Sequence, residues 1–294
     1  MNRSFHNIKG IRVIAGERLS DHTSFHIGGP ARYFAYVYTR KALRNLLAAI
    51  SRNRIRYFVI GAGTNLLVVD RGFKGVIIKL VGVFRRMSIS SGRCRCGGGV
   101  LIDDLVQKSA IEGYGGCSFM AGIPGTLGGA VKGNAGAFGK SISEIIESVT
   151  IMDRRGAERV KVQADLGFRY RKSQIKDGDI ITTATLLLEK QGRKKIMESI
   201  HQNLRTREIK HPKGFSAGSF FKNPRGKAAG KLIEECGLKG LSIGDAEISE
   251  KHGNYIINHG QARAADVIAL SEIVRKTVYE KTGVMLEQEV RLLK

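Results

Sequence analysis

Four stretches of this sequence carry residues whose types and spacing could do chemistry. The first is Gly61-Ala62-Gly63-Thr64-Asn65-Leu66-Leu67, directly after the strand-like run YFVI. Glycines there let the backbone approach an anion, and consecutive N–H groups form a nest for phosphate oxygens. A dinucleotide fingerprint needs G-x-G-x-x-G leading into a helix. Here the third glycine is replaced by Leu66, and VVDRGFKGVIIKL reads as strand and turn, so the Rossmann pattern is not met. The second stretch runs from Gly122-Ile123-Pro124-Gly125-Thr126 to Gly133-Asn134-Ala135-Gly136 and Gly139-Lys140-Ser141. Its end resembles a P-loop, but Asn134 stands where that loop needs glycine, so a nucleotide triphosphatase is rejected. Tight turns explain two or three such glycines; a backbone that must come close to an extended ligand explains the cluster better.

The third stretch, Phe168-Arg169-Tyr170-Arg171-Lys172-Ser173, reads on its own as an exposed basic strand or turn. Its functional reading is a carboxylate or phosphate clamp, because arginine offers a bidentate fork. The fourth joins Lys210-His211-Pro212 to Ala217-Gly218-Ser219-Phe220-Phe221-Lys222-Asn223-Pro224. Gly218-Ser219 is not a G-x-S-x-G elbow, and no His/Asp arrangement at hydrolase spacing accompanies it. Taken alone, Ser219 is no obvious nucleophile. Cys94-Arg95-Cys96 is too tight for a zinc knuckle and has no His pair nearby, so no metal site is expected and the four cysteines read as reduced structural thiols.

Elements able to hold these stretches follow from periodicity. KALRNLLAAISR places Leu43, Leu46, Leu47 and Ile50 at helical spacing. Strands are expected at 57–60, 75–80, 148–153 and 179–190, with a helix around Ile102, Leu105 and Val106. Residues 121–139 read as the longest irregular piece. Beyond residue 190 the pattern changes to a helix through Ile196, Met197, Ile200 and Leu204, a basic loop, a helix at 227–236 and a strand at 254–259. A long helix at 263–282 follows, with Gly283 as its C-cap. The final run alternates, with Val284, Leu286, Val290 and Leu292 on one strand face and Glu287, Glu289 and Arg291 on the other. A domain boundary is placed near residue 190.

The chain has 294 residues, enough for about two domains at ~100–200 residues each. With 42% hydrophobic and 26% charged residues it is an ordinary globular composition, which excludes a disordered chain. Its 37 glycines show no Gly-X-Y period, and four cysteines are too few for a disulfide scaffold. A net charge of +23 calls for an acidic partner: nucleic acid, an anionic membrane surface, or small substrates rich in phosphate and carboxylate. The basic residues are spread along the chain without a basic tail, which argues against a disordered nucleic-acid arm. MNRSFHNIKGIRVIAG lacks the apolar core of a signal peptide, and no run approaches ~18 apolar residues, so a cytoplasmic chain is expected.

These motifs occur in a fixed order with Thr23–Ala31, Gly230–Gly240, Ile248–Asn258 and Leu286–Val290. In that order the chain resembles the MurB family, the UDP-N-acetylenolpyruvoylglucosamine reductases of bacterial peptidoglycan synthesis, from about residue 20 to its end. The stretches GIPGTLGGAVKGNAGAFG and GSFFKNP are the most specific. The resemblance implies an α+β protein. A vanillyl-alcohol-oxidase/PCMH-like FAD-binding domain of two subdomains (about 1–80 and 81–190) would precede a C-terminal α+β substrate-binding domain (191–294). It implies bound FAD, with the pyrophosphate on Gly61, Ala62, Gly63, Thr64 and Asn65 and on Gly122, Ile123, Pro124, Gly125 and Thr126, and with Asn134 and Gly136 nearby. NADPH is the co-substrate. The implied chemistry passes a hydride from flavin N5 to the enolpyruvyl β-carbon and a proton to the α-carbon. By the same resemblance Arg171 binds the substrate carboxylate, Glu289 hydrogen-bonds the developing acid, and Ser219 gives the proton. Lys210 and Asn223 match diphosphate-contacting positions, and Tyr170 and His252 line the same pocket; a purely structural role for His252 is an equal alternative.

Cys117-Ser118 and Gly133 depart from the family's usual residues, and a tyrosine-bearing loop between 171 and 200 is missing, which implies the shorter subtype. The expected protein is a monomeric oxidoreductase of cell-wall synthesis acting on a sugar nucleotide, with no specific nucleic acid and no membrane. Two alternatives stay open. One is another flavoprotein of the same fold, such as an oxidase, against which the 61–67 loop offers no histidine for covalent flavin. The other is a basic nucleic-acid-binding protein, for which no RNP, KH or zinc-finger pattern is present.

Overall fold

The computed structural model describes Phe5 and residues 7–294. Residues 1–4 and 6, part of the stretch read above for a signal peptide, lie outside the described residues. The chain forms two compact units. The first contains the residues up to Ala15, Tyr33–Ala62 and Gly75–Thr206; the second contains Gly16–Arg32, Gly63–Lys74 and Arg207–Lys294.

These units differ from a single cut at residue 190, for two physical reasons. The helix Arg193–Lys210 buries Ile196 and Ile200 in a core of the first unit, so the chain leaves that unit only after Thr206. Early segments, meanwhile, are captured by the C-terminal unit. The strand Leu66–Val68 pairs in parallel with Arg291–Leu293, and Phe25, Ile27 and Leu67 join the core of that unit. The Asp70 carboxylate also accepts the free amides of Ala264 (2.8 Å) and Ala265 (3.2 Å). It thereby caps the helix Ala264–Thr282, whose own N-cap position is the non-capping Arg263.

The first unit holds two sheets. One has four strands in the order Ile11–Ala15, Ala31–Val37, Phe73–Leu80, Tyr57–Ile60, with the last two parallel. The helix Arg40–Arg52 packs on it through Leu43, Leu46, Leu47 and Ile50, and Thr39 Oγ1 caps the helix by accepting the Ala42 amide at 3.2 Å. The other sheet is antiparallel, in the order Glu158–Val162, Ile146–Met152, Ile180–Leu187, Arg93–Gly97, Met87–Ser90. Its inner face buries Cys94, Cys96, Val149, Ala184 and Leu186, together with Leu105 and Val106 of the helix Ile102–Ile111 and Leu127 and Val131 of the helix Leu127–Lys132. All four cysteines are buried free thiols.

In the second unit a three-stranded antiparallel sheet, Ser242–Ile243, Ala246–Ile248 and Ile256–Asn258, packs against Ala264–Thr282 through Val267, Leu270, Val274 and Val278. That helix ends as the sequence predicts, at Gly283 in the left-handed region (φ 70°), whose amide bonds Tyr279 O at 2.8 Å. Among the described residues no helix is long and apolar enough to cross a membrane.

Candidate active site

In the first unit the structure brings two glycine stretches together. A Cβ placed on Gly61 would lie 2.4 Å from Thr126 Oγ1, so only glycine lets the end of the strand Tyr57–Ile60 meet the 122–126 loop this closely. That loop is pinned by the amide of Ile123 on Met120 O (2.9 Å) and by Gly125 O accepting the Ile102 amide (3.0 Å). Thr126 then caps the helix Leu127–Lys132 through the Gly129 amide at 3.4 Å. Sequence periodicity missed this short helix because Gly128 and Gly129 dilute its apolar pattern. On the other side of the same tight turn, Gly63 belongs to the second unit at φ +68°, where a Cβ would lie 2.0 Å from His22 O. At both glycines the space a Cβ would take already holds the protein's own atoms, so glycine is required for close backbone packing. Glycine-rich turns of this kind can turn backbone N–H groups toward an anion, a donor set that is compatible with the pyrophosphate of a dinucleotide flavin.

Asn65, next along, has a second task. Its Nδ2 donates to Glu289 O at 3.3 Å, and its carbonyl accepts the Arg291 amide at 3.1 Å. It therefore fixes the backbone that carries Glu289.

Arg171 sits in the first unit at the tip of a tight turn closed by Arg169 N→Lys172 O (2.9 Å) and Lys172 N→Arg169 O (3.1 Å). Its φ of +54° is rare for a side chain of this size, which marks a conformation imposed from outside. Asn134 supplies part of that constraint. It is itself left-handed (φ 44°) and buried; its Nδ2 donates to Arg169 O at 3.0 Å, and its Oδ1 accepts the Ser143 amide at 3.2 Å. Gly136 O accepts Arg171 Nη1 at 2.9 Å, and the guanidinium lies 5.4 Å from the Tyr170 ring centroid. Ser173 Oγ anchors the far side on Lys132 O at 2.8 Å. The polar groups of Asn134 and Gly136 thus grip the Arg171 turn, while Tyr170 stays exposed.

Ser219 and Glu289 both lie in the second unit, on neighbouring extended segments. The 219–222 segment is paired on both sides. On one side Ser219 bridges Tyr255, and Phe220 N donates to Asn254 O at 2.8 Å. On the other, Glu289 N donates to Phe220 O and Lys222 N to Glu287 O, each at 2.8 Å, and Phe221 bridges Gln288. Asn254, buried, spans the first gap: Nδ2 donates to Phe221 O (2.8 Å) and Oδ1 accepts the Phe221 amide (2.9 Å). Lys222 pairs with Glu287, and Glu289 is the half-buried carboxylate of that run. The expected strand over 284–292 is therefore split. Only Arg291–Leu293 joins a named strand, while 287–289 pair with 220–222.

Sequence reasoning missed Tyr255. Its hydroxyl is hydrogen-bonded with Ser219, and burial pushes its pKa up, against the Ser219 bond and the Arg207 charge, with the Glu289 carboxylate adding to the rise. The rings of His211 and His252 stand 5.4 and 5.0 Å from the Tyr255 ring. Burial, reinforced by Arg207, His252, Lys251 and Lys210, pushes His211 down to about 4, and burial lowers His252 as well. His252 Nδ1 accepts the Asn254 amide at 3.1 Å, which leaves Nε2–H as a donor. Among the remaining predicted positions, Asn223 Oδ1 accepts the Ala229 amide at 3.0 Å at the start of the helix Ala229–Glu235, and Lys210 is an exposed helix-terminal cation.

Comparison with known proteins agrees with this geometry. Residues 31–160 match the model of an FAD binding domain, and residues 210–293 match that of the UDP-N-acetylenolpyruvoylglucosamine reductase C-terminal domain. The chain is 40% identical over 294 residues to the UDP-N-acetylenolpyruvoylglucosamine reductase of Pelobacter propionicus, covering 100% of this chain and 99% of that one. Against the reductase of the same name from Clostridioides difficile it is 41% identical over 283 residues, 94% of this chain and 92% of the other. The crystal structure of UDP-N-acetylenolpyruvylglucosamine reductase (MurB) from Thermus caldophilus superposes with a TM-score of 0.84 at 38% identity, over 97% of this chain and 99% of that one. The 6-hydroxy-D-nicotine oxidase of Arthrobacter nicotinovorans shares the fold alone, with a TM-score of 0.50 at 19% identity over 65% of this chain and 44% of the other. With an α+β architecture that joins a vanillyl-alcohol-oxidase-type FAD-binding domain to this C-terminal domain, and with 40% identity along its whole length, the chain belongs to the UDP-N-acetylenolpyruvoylglucosamine reductase family.

Proposed function

We propose that this chain reduces UDP-N-acetylglucosamine enolpyruvate to UDP-N-acetylmuramate with NADPH, through FAD, in the synthesis of peptidoglycan precursors. The observation that carries the reading is its full-length likeness to reductases of that name. Held by the 61–65 and 122–126 loops, FAD would supply the hydride chemistry that links NADPH to the enolpyruvyl β-carbon. The protein's own residues must then manage the charge and the proton. Hydride addition builds negative charge on the α-carbon and its carboxylate, which fixed positive charge and donors stabilise. Arg171, held at its turn by Gly136 and Asn134, offers the guanidinium fork for that carboxylate. Glu289 hydrogen-bonds the acid as it develops. The Ser219 hydroxyl gives its proton to the α-carbon: a serine is a weak acid in water, but an enolate-like base beside it is strong, and position supplies the rest. Tyr255, kept protonated by burial, holds that hydroxyl in place.

Lys210, Asn223, His252 and Tyr170 are assigned to the sugar-nucleotide diphosphate. The loops around Gly61–Asn65 and Gly122–Thr126 are assigned to the flavin pyrophosphate, with Asn134 and Gly136 positioning Arg171 as well. Flavin binding is assigned to residues 1–190, with subdomains of about 1–80 and 81–190, and substrate binding to 191–294, a functional division that the two compact units cut across. The protein acts as a monomer in the cytoplasm and belongs to the shorter subtype without the tyrosine loop. NADPH oxidation measured with and without the enolpyruvyl sugar nucleotide tests the reading. Oxidation that needs the sugar nucleotide supports it. Oxidation by dioxygen alone, indifferent to the sugar nucleotide, overturns it in favour of an oxidase.

A further inference from the structure

The five-stranded sheet of the first unit has a second face that the proposed reaction does not use. Strand alternation turns Cys94, Cys96, Ala184 and Leu186 inward, onto the core shared with the helix Leu127–Lys132 that the 122–126 loop leads into. The same alternation turns Ser88, Arg95, Gly97 and Thr183 to the opposite face, where the register sets Ser88 beside Arg95 and Gly97 beside Thr183. There the start of the helix Arg40–Arg52 and the turn at Gly82–Arg85 border a cavity of ≈ 510 Å³. Its polar lining is Arg40, Arg86, Arg95, Ser88 and Thr183, with no carboxylate among the lining residues.

The charge balance of this cavity is one-sided. Arg40 is held by Glu158 and by the hydroxyls of Thr182 (3.1 Å) and Thr183, so the nearby carboxylate is already neutralised. Arg93, two residues before Arg95 on the same strand, is likewise taken up by Glu147 at 2.9 Å. Arg86 and Arg95 have no ion pair among the described residues and remain exposed. Arg86 and Arg95 thus bring two uncompensated guanidiniums to one concavity beside the Glu158-paired Arg40, and the helix N-terminus at Arg40 adds to the positive potential. A guanidinium fork flanked by hydroxyl donors matches a tetrahedral oxyanion, and the volume lies within the roughly 300–1,000 Å³ of small-molecule sites.

We propose that this cavity is a second anion site, on the face of the sheet opposite the flavin loops, that takes a phosphate-bearing small molecule on Arg40, Arg86 and Arg95. The proposal does not depend on the reductase reading. The test is calorimetric titration of the flavin-loaded protein at low ionic strength with inorganic pyrophosphate, and separately with ADP, to distinguish a bare phosphate from a nucleotide. The variant is Arg86→Ser/Arg95→Ser, two exposed positions. The control is Arg52→Ser/Arg193→Ser, which removes the same charge from exposed positions elsewhere in the first unit. The expected result is saturable binding of at least one probe, weakened tenfold or more in the Arg86/Arg95 variant, unchanged in the control, with flavin content equal in all three. Equal weakening in variant and control means diffuse electrostatics and overturns the proposal. So does binding indifferent to Arg86 and Arg95, which places the anion elsewhere, or the absence of saturable binding of either probe. Random-sequence RNA that outcompetes both probes overturns it in favour of a nucleic-acid surface.

Discussion

Ser219 is flanked by Tyr255 across an antiparallel bridge, and the two hydroxyls are hydrogen-bonded while Glu289 stands on the strand-like segment at the other side. If Ser219 supplies the proton, the two half-reactions must respond differently to its loss. In Ser219→Ala, flavin reduction by NADPH stays near the wild-type rate, while reduction of the enolpyruvyl substrate falls by about 10²–10⁴. Rapid mixing measures each half separately, and equal loss in both contradicts the role. The histidines beside Tyr255 make a second prediction. His211 takes its proton only at about pH 4 in the folded chain but near 6.5 when unfolded, so between these values the unfolded state binds more protons. Its contribution to stability is complete above about pH 6.5 and is lost as pH falls toward 4. Thermal midpoints across that range drop with acidification, and His211→Gln flattens the slope; an unchanged slope contradicts the assignment. Tyr255 could not be read from the sequence, because it looks like one more apolar strand residue in NYIINH. Only the pairing with the 219–222 segment gives it a partner. Ser219 itself entered through family resemblance, since a lone serine carries no signal.

The 219–222 segment is held from both sides, and Asn254 does much of the holding with one side chain that satisfies both polar groups of Phe221. Asn254→Ala leaves that buried amide and carbonyl without partners, at a cost of about 2–5 kcal/mol. Denaturant unfolding should show that loss, and kcat for the substrate half-reaction should fall while NADPH reduction of the flavin survives. A stability change within ~0.5 kcal/mol would mean that water replaces the amide. At this scale the regular elements were legible. The strand Tyr57–Ile60 matches its predicted residues, and the long helix with its Gly283 cap lies within one residue of its predicted start. Two elements were not. The helix Leu127–Lys132 hides its period behind paired glycines, and the alternation over 284–292 was read as one strand although its first half pairs with a different partner from its second. Alternation reports which face is buried, not which strand lies alongside.

Two units interleave because residues 16–32 and 63–74 find their partners in the C-terminal half: Ser24 Oγ on Ser216 O (2.6 Å), Asn258 Nδ2 on Phe25 O (2.9 Å), Asp70 on the helix Ala264–Thr282. A boundary sought in one linear pass finds the change of pattern near residue 190 but cannot find such returns. Arg171 belongs to the first unit and Ser219 and Glu289 to the second, and the turn Gly61–Asn65 is shared by both. Glycine clustering is what assigns the flavin to the 61–65 and 122–126 loops in the proposed reading. The net charge of +23 narrowed only the class of ligand, and the proposed anion site would give a use to Arg86 and Arg95. The central claim is a flavin that is charged by NADPH and discharged by an enolpyruvyl sugar nucleotide. The visible spectrum of the purified protein under anaerobic conditions tests it most directly. The account predicts an oxidised flavin spectrum that NADPH bleaches and that UDP-N-acetylglucosamine enolpyruvate restores. A colourless protein that takes up no FAD, or a bleached flavin that the sugar nucleotide does not restore, would contradict it.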